Sequence, residues 1–286
     1  VGPAPAGALG GRLLCCGGER EFVGWDGGVP VLQGGGGEDG TMQGLPELAG
    51  IPYVGCGVAA SGNTMDKALT KKVVEGTGVR QARYYLALRY DFERNAEAVI
   101  AAAAETLGAF PVFVKPCSQG SSVGVAKANN LLELAEGLTE AFKLDTKVLV
   151  EEFIDGHEVE CAVLGNLEPQ ASTVGEIAPT QEFYTFDAKY KDESSRLYIP
   201  AHITEEQIAA VRQDAVRVYT ALGCRGLSRV DFFVTHDSGE VVFNELNAIP
   251  GFTSISMYPK LFDYEGIGYA ELLDRLISLA LEEHHG

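Results

Sequence analysis

The sequence predicts an α+β (α/β) protein in which helices and strands alternate along 286 residues. Three observations carry this prediction: apolar residues with helical spacing, short runs rich in Val, Phe and Ile, and one tight turn between two alternating segments. A chain of this length suits one large domain or two to three lobes. The helical segments are 96–107, 130–143 and 204–222, the strand segments are 110–116, 147–154 and 157–165, and the turn is 236–239.

Composition excludes several classes of protein. The formal net charge of -18 argues against a surface for nucleic acid or anionic lipid, which needs clustered Lys and Arg. No apolar run approaches the ~20 residues of a membrane span, and the first residues lack a charged segment followed by an apolar one. The six cysteines show no C-x-x-C pair or zinc spacing. We therefore expect a soluble, cytoplasmic protein with reduced thiols.

The first regular helix is predicted in T-M-D-K-A-L-T-K-K-V-V-E. Asn63 or Thr64 is the expected N-cap, and Gly76 or Gly78 is expected to end the helix. Lys67 then lies in the first turn.

The second half of the chain contains a long helix, a hairpin and a final amphipathic helix. Thr204 and Gln207 form the pattern of a capping box, and Gly223 is expected to end the long helix. The polar stretch 178–203 that precedes it is longer than most loops, which is typical of lids and functional loops.

The hairpin brings three oxygen-bearing side chains together. A turn at 236–239 sets Asp231 opposite or next to Glu245, and the period of two places Asn247 on the same face as Glu245. Carboxylates that face each other inside an apolar sheet need a positive charge between them. Two acids and an amide favour Mg²⁺, which shares its ligand shell with substrate phosphates. A solvated hairpin end is the alternative interpretation.

A lysine and a Gly/Ser loop suggest a phosphate site. Lys115 ends an otherwise apolar strand, where a cation is costly unless a negative ligand meets it. Q-G-S-S-V-G follows, and its backbone N–H groups can approach an anion closely. The loop fits neither the P-loop nor the Rossmann pattern, and an ordinary tight turn remains the alternative.

Other residues extend the predicted site. The backbone of V-L-V-E-E-F-I can bind an adenine edge, and Glu158 can accept hydrogen bonds from ribose hydroxyls. Lys189 and Tyr190 lie in the polar stretch, where a lid would exclude water from a reactive intermediate.

Arg229 shares the strand face of Asp231, so its guanidinium is predicted to point toward the metal site and hold a phosphate or an oxyanion. A salt bridge to Glu245 is the alternative. P-G-F-T-S-I-S-M-Y-P then starts a turn or helix whose free N–H groups and Ser256 hydroxyl can receive a carboxylate.

Eight ordered motifs resemble the ATP-grasp superfamily and, within it, the D-alanine:D-alanine ligases. The match runs from about residue 30 to 280. The motifs are G-E-D-G-T-M-Q-G, I-P-Y-V-G, M-D-K, F-V-K-P, G-S-S-V-G-V, F-Y-T-F-D-A-K-Y, R-V-D-F-F and N-E-L-N-A-I-P-G-F-T.

The resemblance implies an ATP-grasp fold with two α+β lobes that clasp ATP, at 61–154 and 155–286, after an abbreviated N-terminal substrate lobe at 1–60. It implies that ATP phosphorylates one D-alanine and that the amine of a second attacks the acyl phosphate, giving a dipeptide for peptidoglycan synthesis. It also implies a homodimer.

The resemblance assigns a role to each site residue. The nucleotide-binding residues that it implies are Lys67, Lys115, Ser122, Glu151, Glu152, Ile154, Glu158 and Lys189. Asp231, Glu245 and Asn247 would hold two Mg²⁺ ions, with Mn²⁺ as a possible substitute. The implied catalytic residues are Ser121, Tyr190, Arg229 and Gly251, and the implied substrate contacts are Ser256, Met257 and Glu19.

The N-terminal part departs from the family pattern. Residues 1–40 are rich in Gly and weakly periodic, so we expect them to be incomplete or loosely packed. Glu19 in G-G-E-R-E-F-V either takes the role of the glutamate that binds the first substrate or belongs to a linker. Gln33 replaces the histidine that usually precedes the E-D-G motif, and an amide neither titrates nor carries a positive charge.

Two alternatives stay open beside the leading hypothesis, a D-alanine:D-alanine ligase. The second substrate is D-serine or D-lactate, or the chain is a nucleotide-binding protein with impaired turnover because of its short N-terminus. A protein kinase is excluded by order, because Lys115 precedes the Gly/Ser loop and no H-R-D or D-F-G is present.

Overall fold

The computed structural model describes residues 12–15, 21–24, 27–178 and 196–285. It describes side chains for residues 27–178 and 196–283. The strands are β1 Arg12–Cys15, β2 Glu21–Gly24, β3 Tyr84–Leu88, β4 Val112–Pro116, β5 Ala126–Ala128, β6 Lys147–Glu152, β7 Gly156–Leu164, β8 Gln170–Ala178, β9 Arg196–Tyr198, β10 Leu227–Thr235 and β11 Val241–Asn247. The helices are α1 Thr41–Ala49, α2 Val58–Met65, α3 Lys67–Glu75, α4 Arg89–Arg94, α5 Ala96–Leu107, α6 Leu131–Leu144, α7 Glu205–Ala221, α8 Met257–Tyr264 and α9 Tyr269–His285.

Two antiparallel sheets form the body of the molecule. The first has the order β3-β6-β4-β5, and α5 and α6 pack their apolar side chains against it. The second has the order β11-β10-β7-β8-β9. One of its faces packs on α7 and the other on α8 and α9, because residues of opposite parity along β7 enter two different apolar clusters.

The edge strand β11 of the second sheet lies beside the chain that enters the first one. Gln81 forms a parallel bridge with Phe243, and the Phe243 N–H donates to the Arg80 carbonyl at 2.7 Å. The two sheets therefore meet along β11, and the face of β11 that carries Asn244 and Glu245 borders the space between them.

The N-terminal part is a β1–β2 hairpin followed by a loop and three short helices. Gly28 pairs with Tyr53 in an isolated parallel bridge. The limits that we predicted for three lobes, after residues 60 and 154, stay a prediction. Among the helices of the described ranges, none is both long and apolar enough to cross a membrane.

The structure confirms most predicted elements and corrects one helix start. The N-cap of α3 is Asp66, whose carboxylate accepts from the N–H groups of Ala68 at 3.0 Å and Leu69 at 3.2 Å. Asn63 and Thr64, the predicted caps, lie inside α2, so the single predicted helix is two helices. The predicted end at Gly76 is confirmed.

The capping box of Thr204 and Gln207 is confirmed, and Gly223 follows the end of α7 with a φ of +69°. The polar stretch 178–203 contains a feature that we did not predict, the short strand β9. Residues 179–195 of this stretch lie outside the described residues.

Candidate active site

The β10–β11 hairpin aligns four polar side chains on one face. Asp231 pairs in register with Glu245, and Arg229 pairs with Asn247. A bulge follows Asp231, and it re-aims the residues beyond it. The predicted hairpin and the predicted convergence of these residues are confirmed.

The positive charge next to Asp231 is the guanidinium of Arg229. Its Nε and Nη2 donate to the two Asp231 oxygens at 2.8 and 2.7 Å, and Nη2 also lies 3.2 Å from Glu160. The charge of Glu245, the predicted alternative partner, also acts on Arg229, and a direct salt bridge between the two stays a prediction. Burial alone would lower the pKa of Arg229, but Asp231 and Glu160 outweigh burial and raise it well above the usual value. Arg229 is therefore a fixed, charged group at the site.

Asn247 completes this network. Its Nδ2 donates to Asp231 Oδ2 at 3.0 Å, which fixes the plane of the amide. Asp231 is nearly fully buried, whereas the side chain of Glu245 is 32% exposed and lies 3.6 Å from Lys67 Nζ. Glu245 is therefore the acid of the pair that faces the open space.

Three lysines face the hairpin from the first sheet and from α3. Lys67 Nζ donates to the Gln119 carbonyl at 2.7 Å, so the lysine is tied to the Gly/Ser loop. Lys115 Nζ lies 2.6 Å from Glu151 Oε2 and donates to Asn244 Oδ1 at 3.2 Å. Lys71, which the sequence analysis missed, lies 2.8 Å from Glu151 Oε1.

Glu151 is thus the buried partner that Lys115 requires, and the sequence analysis placed this acid only at the adenine pocket. Burial raises the pKa of Glu151, but Lys115 and Lys71 outweigh burial and hold it at about 2. Burial likewise lowers the pKa of Lys115, yet Glu151, Glu245 and Glu158 raise it above its usual value. Glu151 and Lys115 are therefore both ionised near neutral pH.

The Gly/Ser loop has an unusual backbone. Ser121 and Ser122 have φ values of +52° and +60°, in the left-handed region that side chains disfavour, at a cost of order 1–3 kcal/mol each. The turn is closed by the Val123 N–H, which donates to the Gly120 carbonyl at 3.1 Å. A Cβ at Gly124 would meet Leu144 Cδ1 at 2.4 Å, so only glycine fits there. Both serines line the central cleft.

The central cleft has a volume of about 560 Å³ and lies between the two sheets. Its walls include Ile154 and Glu158 together with the ring of Phe153, which packs on Phe113 at a centroid distance of 6.0 Å. Glu152 also borders the cleft, but its carboxylate is held by Arg80 at 2.8 Å and Arg83 at 2.7 Å. The carboxylate of Glu152 is therefore engaged within the protein.

Glu38 of the E-D-G motif is a site residue that the sequence analysis did not single out. It borders a smaller cavity of about 50 Å³ that is also lined by Lys67, Glu245 and Asn247. Burial raises the pKa of Glu38; the N–H groups of Gly34 and Ile249 lower it, and the charge of Glu245 raises it again. The signal that could have found it is an acid inside a glycine-rich motif.

The loop after β11 lies beside this cavity. A Cβ on Gly251 would lie 2.7 Å from Ser256 Oγ, so the backbone and this hydroxyl are in close contact. Ser256 Oγ accepts from the Thr253 N–H at 3.0 Å. The Met257 side chain is buried against Gly175 and Leu261, so only its backbone can meet a ligand. Gln33 Nε2 donates to the Ile249 carbonyl at 3.3 Å.

Three predicted site residues, Glu19, Lys189 and Tyr190, lie outside the residues whose side chains are described. For the part of the chain that the structure describes, no three His, Cys, Asp or Glu side chains form a metal-binding group. The donor set at the hairpin is instead two carboxylates and one amide oxygen. Carboxylates are in excess there, because Asp231, Glu160 and Glu245 all act on Arg229. This chemistry fits a hard divalent cation.

Comparison with known proteins identifies the family. Residues 73–278 match the family model "D-ala D-ala ligase C-terminus". The D-alanine–D-alanine ligase of Acetivibrio thermocellus is 53% identical over 256 residues, which cover 90% of this chain and 68% of that relative. The ligase of Chlorobium phaeovibrioides is 51% identical, with 91% of this chain and 72% of the relative covered.

Solved structures agree with this result. The D-alanine-D-alanine ligase from Coxiella burnetii superposes with a TM-score of 0.80 at 36% identity, covering 93% of this chain and 71% of that one. The VanG D-Ala:D-Ser ligase from Enterococcus faecalis superposes with a TM-score of 0.82 at 44% identity, covering 91% of this chain and 74% of that one. The chain therefore belongs to the D-alanine–D-alanine ligase family and has its ATP-grasp fold.

Proposed function

We propose that this protein joins two D-alanine molecules to D-alanyl-D-alanine with ATP as the energy source, for the synthesis of peptidoglycan precursors. The observation that carries the proposal is the register of the hairpin. It sets Asp231 opposite Glu245 and Arg229 opposite Asn247, and Glu245 borders the central cleft together with Lys67 and Lys115. Relatives about half identical to this chain are D-alanine–D-alanine ligases, which supports the same activity here.

The reaction has two steps. A carboxylate oxygen of the first D-alanine attacks the γ-phosphorus of ATP, and the bond from that phosphorus to ADP breaks. The free amine of the second D-alanine then attacks the acyl carbon, and the C–O bond to phosphate breaks. Inorganic phosphate leaves, and the amine nitrogen loses one proton as the amide bond forms. Such chemistry depends on positioning and on neutralising phosphate charge.

Lys67 and Lys115 supply positive charge for the phosphates. Both border the cleft beside Ser121, and Lys67 is tied to the loop through the Gln119 carbonyl. The backbone N–H groups at Ser121 and Ser122 would cover the phosphates, which gives the strained turn a function. Lys189, by resemblance, would reach the transferred phosphate.

The adenosine part would lie in the central cleft. The backbone of Glu151–Ile154 borders that space, with Phe153 and Phe113 as its apolar wall. Glu158 borders the same space and would accept hydrogen bonds from the ribose hydroxyls.

Asp231, Glu245 and Asn247 would hold Mg²⁺, and the family resemblance implies two ions. Bound magnesium would neutralise the phosphoryl oxygens. The excess of carboxylate around Arg229 supports this assignment. We propose that Arg229 and the Gly251 N–H stabilise the oxyanion that forms when the amine attacks.

The amino-acid substrates would lie between the hairpin and the loop after β11. The Ser256 hydroxyl and the Met257 N–H, at the start of α8, would receive the carboxylate of the second substrate. Tyr190 and Glu19 keep the lid and first-substrate roles that the resemblance implies. A homodimer also stays a proposal, and light scattering tests it.

Product identification by mass tests the proposal. The protein is incubated with Mg-ATP and D-alanine, alone or with an equal amount of D-serine, since one similar structure is a D-Ala:D-Ser ligase. We expect D-alanyl-D-alanine as the main product in both mixtures. D-alanyl-D-serine as the main product of the mixture would mean that D-serine, not D-alanine, is the second substrate. ATP binding without any dipeptide would contradict ligation.

A further inference from the structure

Lys71 is a buried cation with no role in the site so far. It lies on α3, four residues after Lys67, and only 2% of its surface is exposed. Residues four apart lie on the same helix face, so Lys71 follows Lys67 into the interior. A buried ammonium group is costly unless it is compensated.

Its partner is the acid that also contacts Lys115. The two oxygens of Glu151 are divided between the lysines, with Oε1 2.8 Å from Lys71 Nζ and Oε2 2.6 Å from Lys115 Nζ. The ring of Tyr84 lies 5.3 Å from Lys71 Nζ and adds a weaker contact. Glu151 itself is only 4% exposed, so water screens these charges little.

Lys71, Lys115 and Glu151 form a cluster whose net charge determines how strongly it attracts an anion. Two lysines and one ionised glutamate carry a net charge of one positive unit. Of the two lysines, only Lys115 also contacts Asn244 on the hairpin and borders the central cleft. Without Lys71, Lys115 and Glu151 would form a neutral pair with little attraction for an anion.

We infer that Lys71 is a positioning residue for nucleotide binding: by sharing Glu151, it leaves the positive charge of Lys115 available to the phosphates of ATP. The inference rests on the proposed function, because it assumes that ATP phosphates bind at Lys115. Lys71 itself contacts Glu151 and need not touch ATP.

Comparison of two ligands separates this role from a structural one. Calorimetry measures the dissociation constants of ATP and of adenosine, at constant Mg²⁺, for the wild type and Lys71→Met. We expect ATP to bind about tenfold more weakly in the variant, equivalent to about 1.4 kcal/mol. Adenosine has no phosphates, so its dissociation constant should change less than about twofold.

The chain offers a matched control on the same helix. Lys72 is 61% exposed in its side chain and pairs with Glu75, so Lys72→Met removes the same charge without touching Glu151. It should leave both dissociation constants unchanged. Lys71→Arg, which keeps the charge, should retain most of the ATP affinity.

A double variant tests the charge count itself. Lys71→Met with Glu151→Gln leaves Lys115 as the single charge of the cluster, so ATP affinity should recover compared with Lys71→Met alone. Thermal unfolding checks that each variant folds, and Lys71→Gln replaces Lys71→Met if the latter is unfolded.

Equal weakening of ATP and adenosine, unchanged ATP affinity, or no recovery in the double variant would each overturn the inference. A wild type that binds no ATP would instead refute the proposed function.

Discussion

Residues of the hairpin face act as one charged network, since Arg229 holds Asp231 with both ends of its guanidinium and Asn247 donates to the same carboxylate. Glu245 lies outside these hydrogen bonds at the open side of the network, 3.6 Å from Lys67. Removal of each residue is therefore expected to have a different effect. Replacing Glu245 should affect the reaction, and replacing Arg229 should affect both the reaction and the stability of the fold.

Glu245→Gln should abolish turnover and leave the fold intact. The change keeps the side-chain volume and removes one negative charge from a group that is already 32% exposed. The measurements are the rate of dipeptide formation and the thermal unfolding midpoint. Glu240→Gln is the control, because Glu240 lies immediately before the same strand with 51% of its side chain exposed. Activity retained in Glu245→Gln would show that the metal assignment is wrong.

Arg229→Met should destabilise the protein by about 3–5 kcal/mol, because removing one partner leaves buried charge uncompensated. Asp231 and Glu160 are both about 2% exposed, so neither can turn to solvent. Urea unfolding at neutral pH measures the loss. Adding Asp231→Asn should restore part of the stability, and a double variant as unstable as the single one would argue against this pairing.

Helix α3 positions two of the lysines, and its start depends on Asp66. This carboxylate caps two backbone N–H groups and forms an ion pair with Lys147. Asp66→Ala should cost about 1 kcal/mol for the lost cap and weaken ATP binding through Lys67. Asp66→Asn keeps an oxygen for the cap and should cost less. Denaturant unfolding of both variants checks the order, and an equal loss in the two would assign the effect to the ion pair.

The sequence predicted the elements whose signals are local. The hairpin register followed from one short turn and a period of two, and the capping box of α7 followed from Thr204 and Gln207. The start of α3 was missed because Asn63 and Thr64 are good capping types that lie inside another helix. The Glu151 cluster was missed because it joins residues far apart in the chain, and no local pattern reports such a contact.

Acid should destabilise the whole molecule partly through Glu151. Its pKa is about 2 in the folded protein against an ordinary 4.5, so between these values the unfolded chain binds the extra proton. The stabilisation is complete above about pH 4.5 and is lost as the pH falls toward 2. The difference in unfolding free energy between wild type and Glu151→Gln should shrink over this window. A difference that stays constant with pH would contradict the low pKa.

The whole molecule places the hairpin of one sheet against the lysines and the Gly/Ser loop of the other. We propose that this arrangement transfers phosphate from ATP to a carboxylate. The most direct test uses D-alanine labelled with ¹⁸O in its carboxylate, with Mg-ATP, and analyses the released phosphate by mass. We expect one ¹⁸O in each phosphate released with dipeptide, because the carboxylate oxygen leaves with phosphorus. Unlabelled phosphate would mean that water, not the carboxylate, attacks ATP, and would contradict the account.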